Sequence, residues 1–157
     1  MTKISKITYF IILISFFTIF DLYFSELILS KVNQQYISNP IIELIYVKNT
    51  GAAFSILENY QIFLVIFSIF IVFALLHYIY KNVAKISTLS LFWTGMLISG
   101  IICNLYERLV FGFVRDFFKL NFVDFPVFNI SDIFINIGVI AIIITIIKNK
   151  YFKNNEI

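Results

Sequence analysis

The sequence predicts an all-α membrane protein with four transmembrane helices, both termini in the cytoplasm, and a small extracytoplasmic platform between helices 1 and 2. Three observations support this prediction. Of the 157 residues, 61% are hydrophobic and 13% are charged, whereas soluble globular proteins carry about 25% charged residues. Four long apolar runs divide the chain, and basic residues gather on alternate connections between them.

This composition excludes several functional classes. A soluble fold of this length has too little interior to bury so much apolar surface, which excludes an ordinary cytosolic enzyme. The net charge of +3 is too small, and the basic residues too scattered, for a surface that follows phosphates, so we expect no nucleic-acid partner. One Cys and one His leave no basis for a disulfide framework or a Cys/His metal site.

Each apolar run is long enough, or nearly so, to cross the hydrocarbon core, which takes about 20 residues. All are continuous, without the alternation of barrel strands. The first has the basic start of a signal peptide, but bulky residues around Asp21 replace a small-residue cleavage site, so we expect it to be retained. The predicted spans are residues 7–24, 62–80, 87–106 and 130–147.

Lys and Arg near the span ends predict the orientation. The N-terminus, the short loop of residues 81–86 and the C-terminal tail hold most of the basic residues and one acid, Glu156. These three pieces are therefore expected in the cytoplasm, with residues 25–61 and 107–129 outside. Their basic residues are Lys3, Lys6, Lys81, Lys85, Lys148, Lys150 and Lys153.

The connection of residues 25–61 is long for a simple loop. Turn signals at Asn39-Pro40 and Thr50-Gly51 flank an apolar run over residues 41–47. This pattern predicts a small sheet-like or platform element at the outer membrane surface.

Carboxylates gather near the outer ends of the spans, where a charge at membrane depth is costly and usually functional. Asp21 and Asp132 lie at the outer ends of spans one and four. Glu107, Asp116 and Asp124 lie in the second outer connection, and we expect Asp124 to be exposed.

Spacing places polar side chains on shared helix faces. Asn104 and Arg108 are four residues apart, and Asn129, Asp132 and Asn136 are three and four apart. Asp132 falls in the first turn of the fourth span, with Asn129 or Ser131 as the candidate N-cap.

Two aspartates brought together share one proton and titrate as a pair. This is the arrangement of an aspartyl peptidase, in which one carboxylate activates water and the other polarises the scissile carbonyl. Asp116 and Asp132 are the candidates. The alternative is that these aspartates are interfacial groups or helix caps, and that Asn104 and Arg108 reach toward lipid headgroups. The peptidase chemistry needs no metal or cofactor, and we expect none.

Five stretches give the sequence a resemblance to the lipoprotein signal peptidase (signal peptidase II) family over nearly its whole length. They occur in the order of the family. They are Asp21, Asn49-Thr50-Gly51-Ala52-Ala53-Phe54-Ser55, Asn104-Leu105-x-x-Arg108, Gly112-Phe113-Val114-Arg115-Asp116-Phe117 and Phe125-Pro126-Val127-Phe128-Asn129-Ile130-Ser131-Asp132.

The resemblance implies a membrane aspartyl peptidase that removes the signal peptide from bacterial prolipoproteins, cleaving before the diacylglyceryl-modified cysteine. Asp116 and Asp132 match the catalytic pair, and Asp21 matches a supporting aspartate. The expected partners are prolipoprotein substrates and membrane lipid, and the expected form is a monomer in the bacterial inner membrane, with residues 1–157 as one transmembrane peptidase domain. The residues expected to surround the pair and position substrate are Asn49, Gly51, Ala52, Asn104, Arg108 and Asn129.

The chain departs from the family pattern at four positions. Ser25 replaces a Lys, Cys103 a Gly, Glu107 an Asp and Ser131 an Ala. The alternative function is therefore a catalytically impaired relative, or a non-enzymatic membrane protein that binds lipoprotein precursors.

Overall fold

The computed structural model describes residues 1–52 and 56–154, so Ala53, Phe54 and Ser55 of the quoted motif lie outside the described residues. Within these ranges the chain forms four helices long and apolar enough to cross a membrane, in agreement with the predicted fold class. They are α1 (Lys3–Gln34), α2 (Gln61–Asn82), α3 (Thr88–Phe111) and α4 (Ile130–Asn154).

The first helix is longer than its apolar span. It begins after Thr2, whose side chain accepts the Ser5 N–H at 3.2 Å, and it continues to Gln34. No Gly or Pro interrupts the chain before Asn39-Pro40, so the helix extends beyond residue 24 into the connection.

A three-stranded antiparallel sheet, predicted as a platform, lies beyond this helix. Its strands are β1 (Ile37–Ser38), β2 (Ile42–Asn49) and β3 (Val114–Leu120), in the order β1-β2-β3. Asn39 Oδ1 forms the turn between β1 and β2 by accepting the N–H groups of Ile41 and Ile42 at 2.8 and 2.9 Å. The sequence did not predict β3, which the second outer connection contributes.

The register of β2 and β3 positions the site. Val47 is opposite Asp116, and Asn49 is opposite Val114. An irregularity between Leu44 and Val47 shifts the pairing there, as a β-bulge does. The end of β2 therefore lies beside Asp116.

Helix α3 is the central helix and packs against the other three. A Cβ at Gly100 would lie 2.5 Å from the Ser131 carbonyl oxygen, and one at Gly138 would lie 2.8 Å from Leu97 Cβ. Glycine at these two positions allows α3 and α4 to approach closely. Ser99 faces α1, where its hydroxyl donates to the Ile14 carbonyl at 3.1 Å.

The start of α1 and the α2–α3 loop lie at the same end of the bundle. Lys6 Nζ donates to the carbonyl oxygens of Ala84 and Ile86 at 3.0 and 2.6 Å. These contacts satisfy carbonyl groups beyond the end of α2. The sheet lies at the opposite end, where α1 and α3 finish and α4 begins.

Candidate active site

Polar side chains from four elements meet where the sheet joins the helices. Asp116 lies on β3 with only 1% of its surface exposed. Asp132 lies in the first turn of α4, and Asn104 lies in the last turns of α3. Asn49 ends β2 and Asn129 immediately precedes α4. The structure thus brings residues far apart in sequence into one cluster.

Two amides hold the Asp116 carboxylate. Asn49 Nδ2 donates to Oδ2 at 2.9 Å, and Asn129 Nδ2 donates to Oδ1 at 3.0 Å. Both oxygens are therefore engaged, and the carboxylate has a fixed orientation.

A reciprocal pair of hydrogen bonds holds Asp132. The Asp132 N–H donates to Asn129 Oδ1 at 2.8 Å, and the Asn129 N–H donates to Asp132 Oδ2 at 3.2 Å. This is a capping box, so Asn129 is the N-cap of α4. Of the two candidate caps, Asn129 fills this role and Ser131 does not.

The two carboxylates are connected through asparagine side chains. Asn129 Nδ2 donates to Asn104 Oδ1 at 3.1 Å as well as to Asp116. Asn104 Nδ2 in turn donates to Asp132 Oδ1 at 2.9 Å. Asn129 therefore contacts both aspartates, and Asn104 completes the link between them.

Electrostatics favour a protonated Asp116. Burial, together with the nearby negative charge of Asp132, raises the pKa of Asp116 from 3.8 to about 7. The amides of Asn49 and Asn129 oppose this shift, and the charge of Glu107 adds to it. A carboxyl group that holds a proton near neutral pH is what an acid–base pair requires.

Arg108 connects the end of α3 to the loop after β2. Its Nη2 donates to the Gly51 carbonyl at 2.8 Å, and its Nη1 donates to the Asn104 carbonyl at 3.2 Å. Asn49 Oδ1 accepts the Gly51 N–H at 2.9 Å. The loop that carries Ala52 is therefore fixed from two sides.

A cavity of about 720 Å³ lies next to the cluster, between α2, α3 and α4. Ala52, Asn104, Arg108 and Asp132 line its polar end. The rest of its wall is mostly apolar and includes Leu64, Phe67, Ile71, Leu97, Ile101 and Val139. The cavity therefore brings an apolar surface next to the Asp132 carboxylate.

Known bacterial proteins are similar to this chain in sequence. The family model described as Signal peptidase (SPase) II matches residues 12–148. The chain belongs to the signal peptidase II family. It is therefore an aspartic peptidase by family. The family predicted from the sequence motifs is confirmed.

Curated members of this family are similar over most of their length. A lipoprotein signal peptidase of Streptococcus thermophilus (strain CNRZ 1066) is 38% identical over 110 residues, covering 70% of this chain and 71% of that protein. One from Caldicellulosiruptor bescii is 34% identical over 146 residues, covering 89% and 91%. A solved bacterial membrane enzyme is 31% identical with a TM-score of 0.79, covering 90% of this chain and 88% of the other.

Two of the departures from the signal peptidase II pattern meet at Asp21. This carboxylate is 3% exposed. Ser131 Oγ donates to its Oδ2 at 2.6 Å, and Ser25 Oγ donates to its Oδ1 at 3.4 Å. Two hydroxyls thus stand where the family pattern has a Lys and an Ala. Asp21 does not join the cluster directly, and it contacts α4 through the residue before Asp132.

The structure also shows where three other polar residues from the sequence analysis lie. Asn136 does not join the cluster, because it is exposed and its amide donates to the Asp132 carbonyl at 2.9 Å. Asp124 is exposed, as expected. Cys103 is buried, with its sulfur 3.9 Å from the Thr18 carbonyl oxygen.

Three residues around the site were not predicted from the sequence. Arg115 and Glu26 form ion contacts behind Asp116, and Gln61 Nε2 donates to the Thr50 carbonyl at 2.6 Å. Arg115 precedes a candidate catalytic residue, and that position was the available signal. Nothing in the sequence pairs Glu26 or Gln61 with the site, because each lies in a different element.

Proposed function

We propose that this chain removes the signal peptide from bacterial prolipoproteins by cleaving before the diacylglyceryl-modified cysteine, with Asp116 and Asp132 as its catalytic pair. One observation carries the assignment of the pair. Two aspartates from distant parts of the sequence are both bound by Asn129, and one of them, Asp132, lines the polar end of a cavity that is otherwise mostly apolar.

The chemistry follows from one proton shared by the pair. The ionised carboxylate takes a proton from water, and the hydroxide equivalent attacks the scissile carbonyl carbon. The protonated carboxyl donates to the carbonyl oxygen as negative charge develops there. Collapse of the tetrahedral intermediate breaks the C–N bond, and the amine leaves with a proton from the pair. No covalent enzyme intermediate forms.

Substrate binding is assigned to the cavity and the groups at its polar end. An extended segment around the scissile bond needs hydrogen-bond partners that a helix would otherwise supply. The buried Arg108 Nε has no hydrogen-bond partner within residues 1–52 and 56–154, and it lies at this end of the cavity. Together with Asn49, Gly51, Ala52, Asn104 and Asn129, it is suited to hold that segment. The apolar wall suits the signal peptide or its lipid.

The proposal includes a topology. Lys6 and Lys85 lie near the end of the bundle opposite the aspartates, and cytoplasmic ends of membrane helices are enriched in Lys and Arg. We therefore place both termini in the cytoplasm and the catalytic pair near the outer face of the inner membrane. Residues 1–157 act as one monomeric transmembrane peptidase domain.

A processing assay tests this function. Purified enzyme is mixed with a diacylglyceryl-modified prolipoprotein, and the released signal peptide is measured. The wild-type enzyme is expected to cleave the prolipoprotein. Asp116→Asn and Asp132→Asn are each expected to reduce the cleavage rate by at least about 10³-fold.

The matched control is Asp124→Asn, which makes the same chemical change at an exposed position of the same connection. It is expected to cleave at the unmodified rate. Near-normal cleavage by either variant of the proposed pair would exclude the pair. No cleavage by the unmodified protein would exclude the peptidase function.

A further inference from the structure

A buried ion cluster lies directly behind Asp116. Arg115 is 5% exposed and Glu107 is 5% exposed, while the Glu26 side chain is 63% exposed. Arg115 Nη2 lies 2.7 Å from Glu107 Oε1, and Arg115 Nη1 lies 2.6 Å from Glu26 Oε1. The cluster joins β3 to both α3 and α1.

Glu107 also binds the backbone of the strand. Its Oε2 accepts the Arg115 N–H at 2.7 Å, and its Oε1 accepts the Arg115 Nε–H at 2.8 Å. One carboxylate therefore fixes both the main chain and the side chain of the residue next to Asp116. The guanidinium also lies over the Phe111 ring at 4.7 Å, which further restricts its position.

These contacts join the two residues that precede Arg108 and Asp116 in the sequence. Glu107 immediately precedes Arg108 on α3, and Arg115 immediately precedes Asp116 on β3. The chain reverses between them at Gly112, where φ is +79° and the N–H donates to the Arg108 carbonyl at 3.1 Å. Successive strand residues point to opposite faces, so Arg115 faces away from Asp116 while sharing its peptide bond.

Fold stability alone does not account for such a pair. Buried ion pairs contribute little net stability, and apolar residues of similar volume often replace them without loss. An Arg with a bidentate carboxylate does supply a fixed geometry and a fixed charge. Both properties are useful directly beside an acid–base group.

We propose that Arg115, held by Glu107, is a positioning residue that fixes the backbone before Asp116 and balances the charge facing that carboxylate. This inference rests on the proposed function. It assigns to Glu107, a departure from the family pattern, a partner within this chain.

Several charged groups lie near Asp116 or on the elements packed against its strand. The charges of Asp132 on α4 and of Glu107 and Arg108 on α3 interact with Asp116. Asp21 and Glu26 lie on α1, and Lys48 on β2 has its Nζ over the Phe113 ring at 4.9 Å. The Glu107 anion raises the pKa of Asp116, although burial and Asp132 raise it more. Arg115 is the cation that directly balances Glu107.

Opposite charge changes provide the test. Glu107→Gln removes the anion and leaves the Arg115 cation, so the alkaline limb of the pH–kcat/KM profile is expected to move to lower pH. Arg115→Met leaves the anion and is expected to move that limb to higher pH. Each shift is expected to reach about half a pH unit, or about threefold in kcat/KM at a fixed pH on the limb.

Glu43→Gln is the matched control, because Glu43 on β2 pairs with Lys119 on β3 at 2.9 Å, outside the Arg115 cluster. The alkaline limb of the pH–kcat/KM profile is expected not to move in this variant. If Glu107→Gln does not fold, Glu26→Gln is measured in its place. This variant removes only the exposed carboxylate bound to Arg115, so the alkaline limb is expected to move to lower pH by a smaller amount.

The assay is run on purified enzyme and the lipid-modified prolipoprotein between about pH 5 and pH 9. The positioning role of Arg115 would be overturned by either of two results. One is a reduced rate with no movement of the alkaline limb, and the other is movement of the limb in the same direction in Glu107→Gln and Arg115→Met. Failure of the unmodified enzyme to cleave would instead overturn the proposed function, so the two failures are distinguishable.

Discussion

The side-chain amide of Asn129 lies 3.0 Å from Asp116 Oδ1 and donates a hydrogen bond to it. The same residue caps α4 and binds Asp132 through its backbone N–H and its side-chain oxygen. Asn129 therefore has two separable tasks, namely starting a helix and orienting a carboxylate on a different element.

Replacement of Asn129 separates these tasks. Asn129→Ser keeps an N-cap oxygen but loses the donor to Asp116, so we expect near-normal thermal stability and a rate about 10-fold to 100-fold lower. Asn129→Ala loses both and is expected to cost about 1 kcal/mol of stability in addition. Thermal unfolding and cleavage rates of the purified variants check this. Equal rates for Asn129→Ser and the unmodified protein would contradict the bridging role.

The raised pKa of Asp116 predicts how stability depends on pH. In the folded protein this carboxyl holds its proton up to about pH 7, whereas the ordinary pKa is 3.8. Between these values the folded state binds more protons than the unfolded state, so the contribution of Asp116 to stability falls as pH rises and is constant above that window. Unfolding temperatures measured across this range should fall less steeply in Asp116→Asn. An unchanged slope would show that another group is responsible.

Ser131 is expected to support Asp21 in place of the family's lysine. Ser131→Ala restores the family residue but removes the 2.6 Å hydrogen bond to a buried carboxylate, so we expect a loss of about 1–3 kcal/mol. Adding Ser25→Lys restores a cation four residues from Asp21 and is expected to recover much of that loss. Unfolding measurements on the single and double variants test the compensation, and a double variant less stable than Ser131→Ala would refute it.

Gly100 is expected to control the position of the Asp132 turn. An added Cβ would lie 2.5 Å from the Ser131 carbonyl oxygen, so Gly100→Ala must push α4 away from α3. We expect lower stability and a rate reduced by about 10-fold or more, because small misplacements in an active site are costly. Gly95→Ala is the control, since its Cβ would lie 3.3 Å from Leu13 Cβ. Similar effects from both variants would argue against a specific role for Gly100.

Much of the fold was predictable because a helix that spans a membrane requires a long run of apolar residues, which is visible in the sequence. Long apolar runs located all four helices, and turn residues around Asn39 predicted the platform. The extension of α1 to Gln34 and the strand β3 were not predicted, because both lie in connections that mix apolar and polar residues, where helix, strand and loop have similar local preferences.

The sequence predicted the central residues of the candidate site, but not how they contact one another. The motifs named Asp116, Asp132, Asn104 and Asn129, yet no spacing shows that Asn129 contacts both aspartates. The pairing of Ser131 with Asp21 and of Arg115 with Glu107 depends on how separate elements meet. Two of the four departures from the family pattern, noted separately along the sequence, are neighbours in space.

The cavity has a consequence for how reaction rates should be measured. Its walls come from three helices that cross the membrane, so a substrate anchored in the same bilayer can reach it by diffusing in two dimensions. Encounter frequency then depends on how many substrate molecules share a given area of lipid, and not on their amount per litre. Diluting substrate with inert phospholipid should slow cleavage, whereas diluting the whole vesicle suspension with buffer should leave turnover per enzyme unchanged.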